Sequence, residues 1–88
     1  MNDKSQQKVV LTHRTEALYD PDNLRIIIDV ESLRSPDGKF GTLFYLGSAR
    51  YEEGDAAVEE AIIEQMRGEI QEEYAREGMY AEFSDGKF

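Results

Sequence analysis

The chain has 88 residues, no cysteine and a net charge of −9. This length allows one small domain with one modest core. The absence of cysteine excludes a disulfide framework, a thiolate metal site and a cysteine nucleophile. No apolar run approaches the roughly 20 residues of a membrane-spanning helix. Residues 1–7 are polar and lack the apolar core of a signal peptide, so we expect them to form a flexible arm. We expect the protein to be cytoplasmic, in the host cytoplasm if it is viral.

The negative charge is concentrated in one segment of the chain. Residues 1–51 carry seven acidic and seven basic side chains, whereas residues 52–77 carry ten acidic and two basic side chains. Binding to a phosphate backbone or to an anionic membrane surface requires clusters of lysine and arginine. The charge layout therefore disfavours direct binding to nucleic acid or membranes, and it favours a protein partner with a basic surface.

Three antiparallel strands are predicted within residues 8–51. Residues 9–14 are rich in β-branched side chains and predict a first strand that extends toward Tyr19. Asp20 and Pro21 favour a type I turn. The apolar–polar alternation of residues 24–30 then predicts the second strand. The third strand is expected over residues 40–51.

The segment SPDGKF, residues 35–40, joins the second and third strands and fixes their register. Its proline and glycine predict a three-residue hairpin loop in which Gly38 is left-handed and Ser35 lies opposite Lys39. The same tetrapeptide DGKF ends the chain at residues 85–88 without a return strand, so we expect that copy to be a loosely docked tail.

This register assigns the apolar side chains to two sheet faces. Val30 then faces Phe44, and Ile28 faces Leu46, because directly opposed residues share a face. We expect the first face to form the core, with Leu24, Ile26, Ile28, Val30, Phe44 and Leu46. The second face is also more apolar than a solvated face requires, which makes it a candidate contact surface. Its candidate binding residues are Ile27, Leu43, Tyr45 and Tyr51.

A long amphipathic helix is predicted over residues 55–77. Apolar side chains recur every four residues from Val58 to Tyr74, as expected for a helix packed on a sheet. Asp55 is a favourable N-cap, and Gly78 suits the left-handed position after the last turn. Residues 79–88 are expected to form a short strand or a tail. The sequence thus predicts a single α+β domain, an antiparallel β-meander packed against one acidic helix in the order β-β-β-α-β.

Three patterns that could carry chemistry are weak. His13 is the only histidine and has no evident catalytic partner in the sequence. Residues 20–31 have some of the spacing of a calcium loop, but Leu24 and Arg25 occupy positions that require an oxygen ligand and a glycine. The many carboxylates lie on a solvated helix instead of in a cleft. We therefore predict no enzymatic activity, no metal site and no cofactor.

The acidic side chains of the helix are the main functional candidates. Glu60 and Glu64 form one pair at i,i+4 spacing, and Glu69, Glu73 and Glu77 form a longer row. Like charges at that spacing destabilise a helix by a few tenths of a kcal/mol per pair. Such a row has two explanations: it keeps the protein soluble, or it docks on a basic surface in place of a phosphate backbone.

The leading hypothesis is a non-enzymatic inhibitor or regulator of a basic partner that handles nucleic acid. In size and charge the chain resembles the small acidic inhibitors that phages and mobile elements carry, including anti-CRISPR proteins. That resemblance implies a counter-defence role in which carboxylates replace phosphates.

The alternative hypothesis is a self-associating structural, accessory or antitoxin-like module. Here Ile27, Leu43 and Tyr45 on the second sheet face form a homodimer interface. An exposed edge strand that pairs with its symmetry mate has the same outcome.

Overall fold

The computed structural model describes residues 8–21 and 23–86, and in this part of the chain it contains five strands and one helix. The elements are β1 Val9–His13, β2 Glu16–Tyr19, β3 Ile26–Arg34, β4 Phe40–Tyr51, α1 Glu60–Arg76 and β5 Tyr80–Ser84. The strands form one sheet in sequence order, antiparallel from β1 to β4, with β5 parallel to β4. The α+β class is confirmed. The predicted arm over residues 1–7 and the end of the predicted tail, Lys87 and Phe88, lie outside the described residues.

Four strands precede the helix, one more than the sequence predicts. The expected first strand is a hairpin that turns at Arg14 and Thr15, with Leu11 opposite Ala17 in its ladder. Neither turn residue is a glycine, proline or asparagine, the residue types that usually mark a tight turn. The β-branched pattern therefore predicted one continuous strand in place of a hairpin.

The β3–β4 hairpin has the predicted turn and register. Gly38 has a φ of 87°, and the backbone N–H of Ser35 donates to the Lys39 carbonyl oxygen at 2.9 Å. Val30 pairs with Phe44 as expected. The local turn chemistry is therefore sufficient to set this half of the ladder.

Farther from the turn, the β3–β4 register shifts at an irregularity in β4. The shift begins beyond the pair Asp29–Tyr45, and Ile27 pairs with Arg50. The predicted pairing of Ile28 with Leu46 therefore does not hold. Ser48 stabilises the irregularity because its hydroxyl accepts the Asp29 N–H at 2.9 Å and donates to the Tyr45 carbonyl oxygen at 2.7 Å. Such extra residues reverse which face the following side chains occupy.

The core lies between one face of the sheet and the helix. Phe44 is at its centre, with its ring centroid 5.4 Å from that of Tyr74 and 5.5 Å from that of Phe83. The buried apolar side chains are Val9, Ala17, Tyr19, Ile26, Ile28, Val30, Phe44, Leu46, Ala49, Val58, Met66, Ile70 and Tyr74. All of the predicted core residues are among them except Leu24, which packs against this cluster and is half-buried.

The helix begins at Glu60, later than the sequence predicts. Asp55 has a φ of 60° and lies in a turn, and the N-cap is Glu59. The Tyr51 N–H donates to the Ala56 carbonyl oxygen at 2.9 Å, so this segment folds back along the end of β4. The backbone N–H of Asp55 donates to the Tyr51 carbonyl oxygen at 3.2 Å in this fold-back. Asp55 therefore does not cap the helix, although its residue type favours that position.

The helix ends as the sequence predicts. Gly78 has a φ of 73°, and the Met79 N–H donates to the Tyr74 carbonyl oxygen at 2.8 Å. The Gly78 N–H donates to the Ala75 carbonyl oxygen at 3.1 Å. These two bonds form a Schellman motif, in which glycine takes the left-handed conformation at no steric cost.

The expected C-terminal strand is β5, and it is parallel to β4 because the helix carries the chain back across the sheet. Beyond β5, the Gly47 N–H donates to the Gly86 carbonyl oxygen at 3.0 Å. The first two residues of the tail, Asp85 and Gly86, therefore lie against β4. They contact β4 at the glycine that precedes Ser48.

The same substitution at two glycines is expected to have opposite effects. At Gly47 a Cβ atom would lie 2.5 Å from the Asp85 carbonyl oxygen and 2.6 Å from that of Gly86. Gly47→Ala should therefore displace the tail and lower the free energy of unfolding by about 1–3 kcal/mol. Gly68 lies inside α1 with open space around it, so Gly68→Ala should raise the free energy of unfolding by about 0.5–1 kcal/mol. Urea denaturation measures both, and wild-type stability of Gly47→Ala would contradict the docked tail.

Candidate functional site

The helix glutamates singled out by the sequence do not share one surface. The five-residue step from Glu64 to Glu69 rotates the side chain by about 140° around the helix axis. Glu60, Glu64 and Glu77 are exposed. Glu69 is half-buried, and Glu73 is only 5% exposed. The predicted row therefore divides into exposed and enclosed members.

Glu69 and Glu73 contact the beginning of the sheet. The Tyr19 hydroxyl donates to Glu69 Oε1 at 2.5 Å, and Lys8 Nζ lies 3.8 Å from Glu69 Oε2. The backbone N–H of Lys8 donates to Glu73 Oε1 at 2.9 Å. Both carboxylates thus connect the helix to the first two strands. Contacts within the fold account for them, and we remove them from the candidate binding residues.

A different set of carboxylates is exposed around the start of α1. Residues 52–64 contain six exposed acidic side chains and no basic one. Glu52 is paired, because its Oε1 accepts from Arg25 Nε at 2.5 Å. We call the other five the acidic surface: Glu53, Asp55, Glu59, Glu60 and Glu64.

The charge of the acidic surface is weakly compensated. Asp55 Oδ1 lies 4.0 Å from Arg50 Nε, and Glu64 Oε2 lies 3.9 Å from an Arg67 nitrogen. Exposed pairs at such distances contribute little stability. Glu53 and Glu60 form no ion pair within residues 8–21 and 23–86. This surface therefore presents concentrated negative charge to solvent.

Glu59 is held in its ionised form by a hydrogen bond. The Tyr51 hydroxyl donates to Glu59 Oε1 at 2.5 Å, which lowers the pKa of Glu59, and a backbone hydrogen bond lowers it further. The same hydrogen bond raises the pKa of the Tyr51 hydroxyl. Acidic side chains at a helix N-terminus also interact favourably with the helix dipole. Local structure thus tolerates this density of charge at the start of α1.

The sheet face opposite the helix is covered by no element in the described part of the chain. We call this surface the open face, and its half-buried apolar residues are Leu18, Ile27, Leu33, Leu43 and Tyr45. Arg50 also belongs to this face, with guanidinium nitrogens 3.3 Å from Asp29 Oδ1 and 3.4 Å from Glu16 Oε2. Three of the four predicted sheet-face residues therefore lie together, around an ion-pair cluster that the sequence did not predict.

Tyr51, the fourth predicted sheet-face residue, lies on the helix side of the sheet. The register shift in β4 pairs it with Ile26, which is fully buried. It packs against the core and donates its hydroxyl hydrogen bond to Glu59. Tyr51 is therefore removed from the open face and supports the acidic surface instead.

The candidate chemistry at His13 gains no structural support. Its side chain is 71% exposed, and Nε2 lies 4.0 Å from Glu16 Oε1. Within residues 8–21 and 23–86, no three histidine, cysteine, aspartate or glutamate side chains come together as a metal site would require. The predicted absence of enzymatic activity and of a cofactor remains a prediction.

Sequence reasoning missed Glu53, Asp55 and Glu59 as members of one surface. The sequence pattern predicts Asp55 as the helix N-cap and Glu59 within the helix itself, whereas α1 begins after both of them, at Glu60. No sequence pattern indicated that Arg50 lies on the open face, because its position there follows from the register shift in β4.

Comparison of the chain with family models, with curated proteins and with solved structures finds no significant match. In the described residues, no helix has the length and apolarity needed to cross a membrane.

Proposed function

We propose that this protein is a non-enzymatic inhibitor or regulator that docks its acidic surface on a basic surface of a nucleic-acid-handling protein. The chain carries out no chemistry in this role. It occupies a site that otherwise holds a phosphate backbone. A counter-defence protein of a phage or mobile element would act in this way.

One observation carries the proposal: five exposed carboxylates lie around the start of α1, and among the described residues they form only two ion pairs, both long, with Arg50 and Arg67. Charge concentrated on one surface attracts a partner of opposite charge and accelerates association. A partner of opposite charge needs a cluster of lysine and arginine side chains, and such clusters occur on proteins that bind phosphate backbones. The revised contact residues are Glu60 and Glu64 from the original row, with Glu53, Asp55 and Glu59 added.

Competition with a polyanion tests this function. The immobilised chain would first capture proteins from a lysate of the native host. A captured protein would then be purified and shown to bind the chain directly. We expect double-stranded DNA or RNA to displace the chain from that partner, because the nucleic acid and the chain occupy the same basic surface. We also expect the affinity to fall as salt increases. A complex unaffected by nucleic acid and by salt would contradict the proposal.

A second candidate function, self-association through the open face, has its own supporting observation. Five half-buried apolar side chains lie on a face that no described element covers. Closed dimers commonly bury such self-complementary patches. Sedimentation equilibrium at tens of micromolar protein tests it: a dimer is the expected result, and a strict monomer would exclude this candidate.

A further inference from the structure

Most of the large apolar side chains that remain exposed in the described residues gather in one place. Three of them, Leu11, Phe40 and Met79, line one groove beside the C-terminal end of α1. The side chain of the fourth, Val10, lies on the open face, because Val10 pairs with Leu18 in the β1–β2 ladder. Single exposed apolar side chains are ordinary on a protein surface, whereas a contiguous group indicates an interaction site.

The groove is built from three parts of the chain. Its lining comes from residues 9–11 of β1, from residues 40–42 of β4 with Ser32 of β3, and from the end of α1 with Met79. Its volume is about 260 Å³. Tyr74 is buried at its base, and the Tyr74 hydroxyl donates to Thr42 Oγ1 at 3.2 Å. Part of the lining is thus anchored in the core.

The groove is negatively charged at the helix end. Glu73 and Glu77 line it, and none of its described lining residues is a lysine or an arginine. Glu73 Oε1 already accepts the Lys8 N–H. Glu77 is exposed and forms no ion pair with any described residue. An apolar surface next to an uncompensated carboxylate suits a ligand that is apolar and cationic.

We propose that this groove binds a short segment of a partner protein in which an apolar side chain stands next to a lysine or arginine. The apolar side chain packs against Leu11, Phe40 and Met79, and the basic side chain reaches Glu77. The Arg34 guanidinium lies 5.8 Å from the centre of the Phe40 ring. It repels a second cation there, so the basic residue of the segment is directed toward the helix.

Size and charge favour a peptide segment over other occupants. Small-molecule sites usually enclose roughly 300–1,000 Å³, so a groove of about 260 Å³ accommodates one or two side chains. A second copy of this chain has a net charge of −9, so it is a poor electrostatic match for an acidic groove.

Selection of peptides by the full-length chain tests the proposal. The probe is a displayed library of random decapeptides, followed by affinity measurements on the enriched peptides in purified form. We expect these peptides to contain an apolar residue adjacent to lysine or arginine. We expect binding at least tenfold weaker with Leu11→Asn/Phe40→Ser and with Glu77→Lys. The control Glu72→Lys makes the same charge change on an exposed position of α1 outside the groove and should bind as the wild type does.

Several results would overturn the proposal. These are a selection without enrichment, enriched peptides that lack the basic residue, and equal loss of affinity in Glu72→Lys and Glu77→Lys, which would indicate unspecific charge attraction. Leu11 and Phe40 are exposed, so the double variant should fold; if it does not, Glu77→Lys carries the test. A dimer that Leu11→Asn/Phe40→Ser dissociates would identify a second copy as the occupant. Changed amide resonances at Leu11 and Met79 after deletion of residues 2–7 would identify the chain's own segment.

This inference does not depend on the acidic surface. Neither Glu60 nor Glu64 lines the groove, and no groove variant alters them. Failure of one proposal therefore leaves the other to be judged by its own experiment.

Discussion

Replacing Phe44 by alanine is expected to lower the free energy of unfolding by about 3–5 kcal/mol. The Phe44 side chain is fully buried, and its ring packs edge-on against Tyr74 and stacks on Phe83. Alanine would remove those contacts and leave a cavity where β4, β5 and the helix meet. A domain of this size has about 5–15 kcal/mol of stability in total, so the urea midpoint should fall steeply.

Phe40→Ala is the matched control for this prediction. It makes the same chemical change in the same strand, but the Phe40 side chain is 65% exposed. We expect it to change the free energy of unfolding by at most about 0.5 kcal/mol. Equal losses of stability for the two variants would mean that the sheet does not pack on the helix through Phe44.

The parts of the fold that local chemistry determines could be predicted from the sequence. The turn at residues 35–40 needs only its proline, glycine and serine, and the register of the adjoining strands follows from it. The stripe from Val58 to Tyr74 identifies the buried side of the helix. Gly78 marks the helix end because few other residue types adopt its conformation without cost.

The parts that depend on tertiary partners could not be predicted in this way. The turn at Arg14 and Thr15 is imposed by pairing of β1 with β2 and of β2 with β3. The shift in β4 depends on Ser48 replacing ladder bonds to Asp29. Neither interaction has a local pattern, and the shift changes the face on which Tyr51 lies.

The candidate site was partly within reach of the sequence. The five-residue step between Glu64 and Glu69 already places their side chains on different sides of a helix. The burial of Glu73 was not accessible, because it depends on a hydrogen bond from the backbone of Lys8, 65 residues earlier in the chain.

Charge reversal at the acidic surface is expected to have the largest effect on function. Glu60→Lys/Glu64→Lys replaces two exposed carboxylates that are close in space, because residues four apart are neighbours on a helix. Each reversal removes an attraction to a basic partner and adds a repulsion. We expect the affinity for the partner to fall by about 10–100-fold, which corresponds to roughly 1.4–2.8 kcal/mol.

The matched control is Glu72→Lys/Glu82→Lys. Both of these glutamates are exposed and lie outside the acidic surface, so the variant changes the net charge by the same amount. We expect this control to retain most of the affinity, since the attraction is strongest within about a Debye length of the partner. Lysine at the helix start costs about 0.3–1 kcal/mol of stability, so Glu60→Lys/Glu64→Lys must be shown to fold. Circular dichroism provides this check for both double variants.

The most direct test of the proposed docking is the salt dependence of partner binding for the wild type and these two double variants. We predict that Glu60→Lys/Glu64→Lys weakens binding and flattens the dependence of affinity on salt, while the control follows the wild type. If Glu60→Lys/Glu64→Lys binds with wild-type affinity and wild-type salt dependence, the acidic surface is not the docking surface.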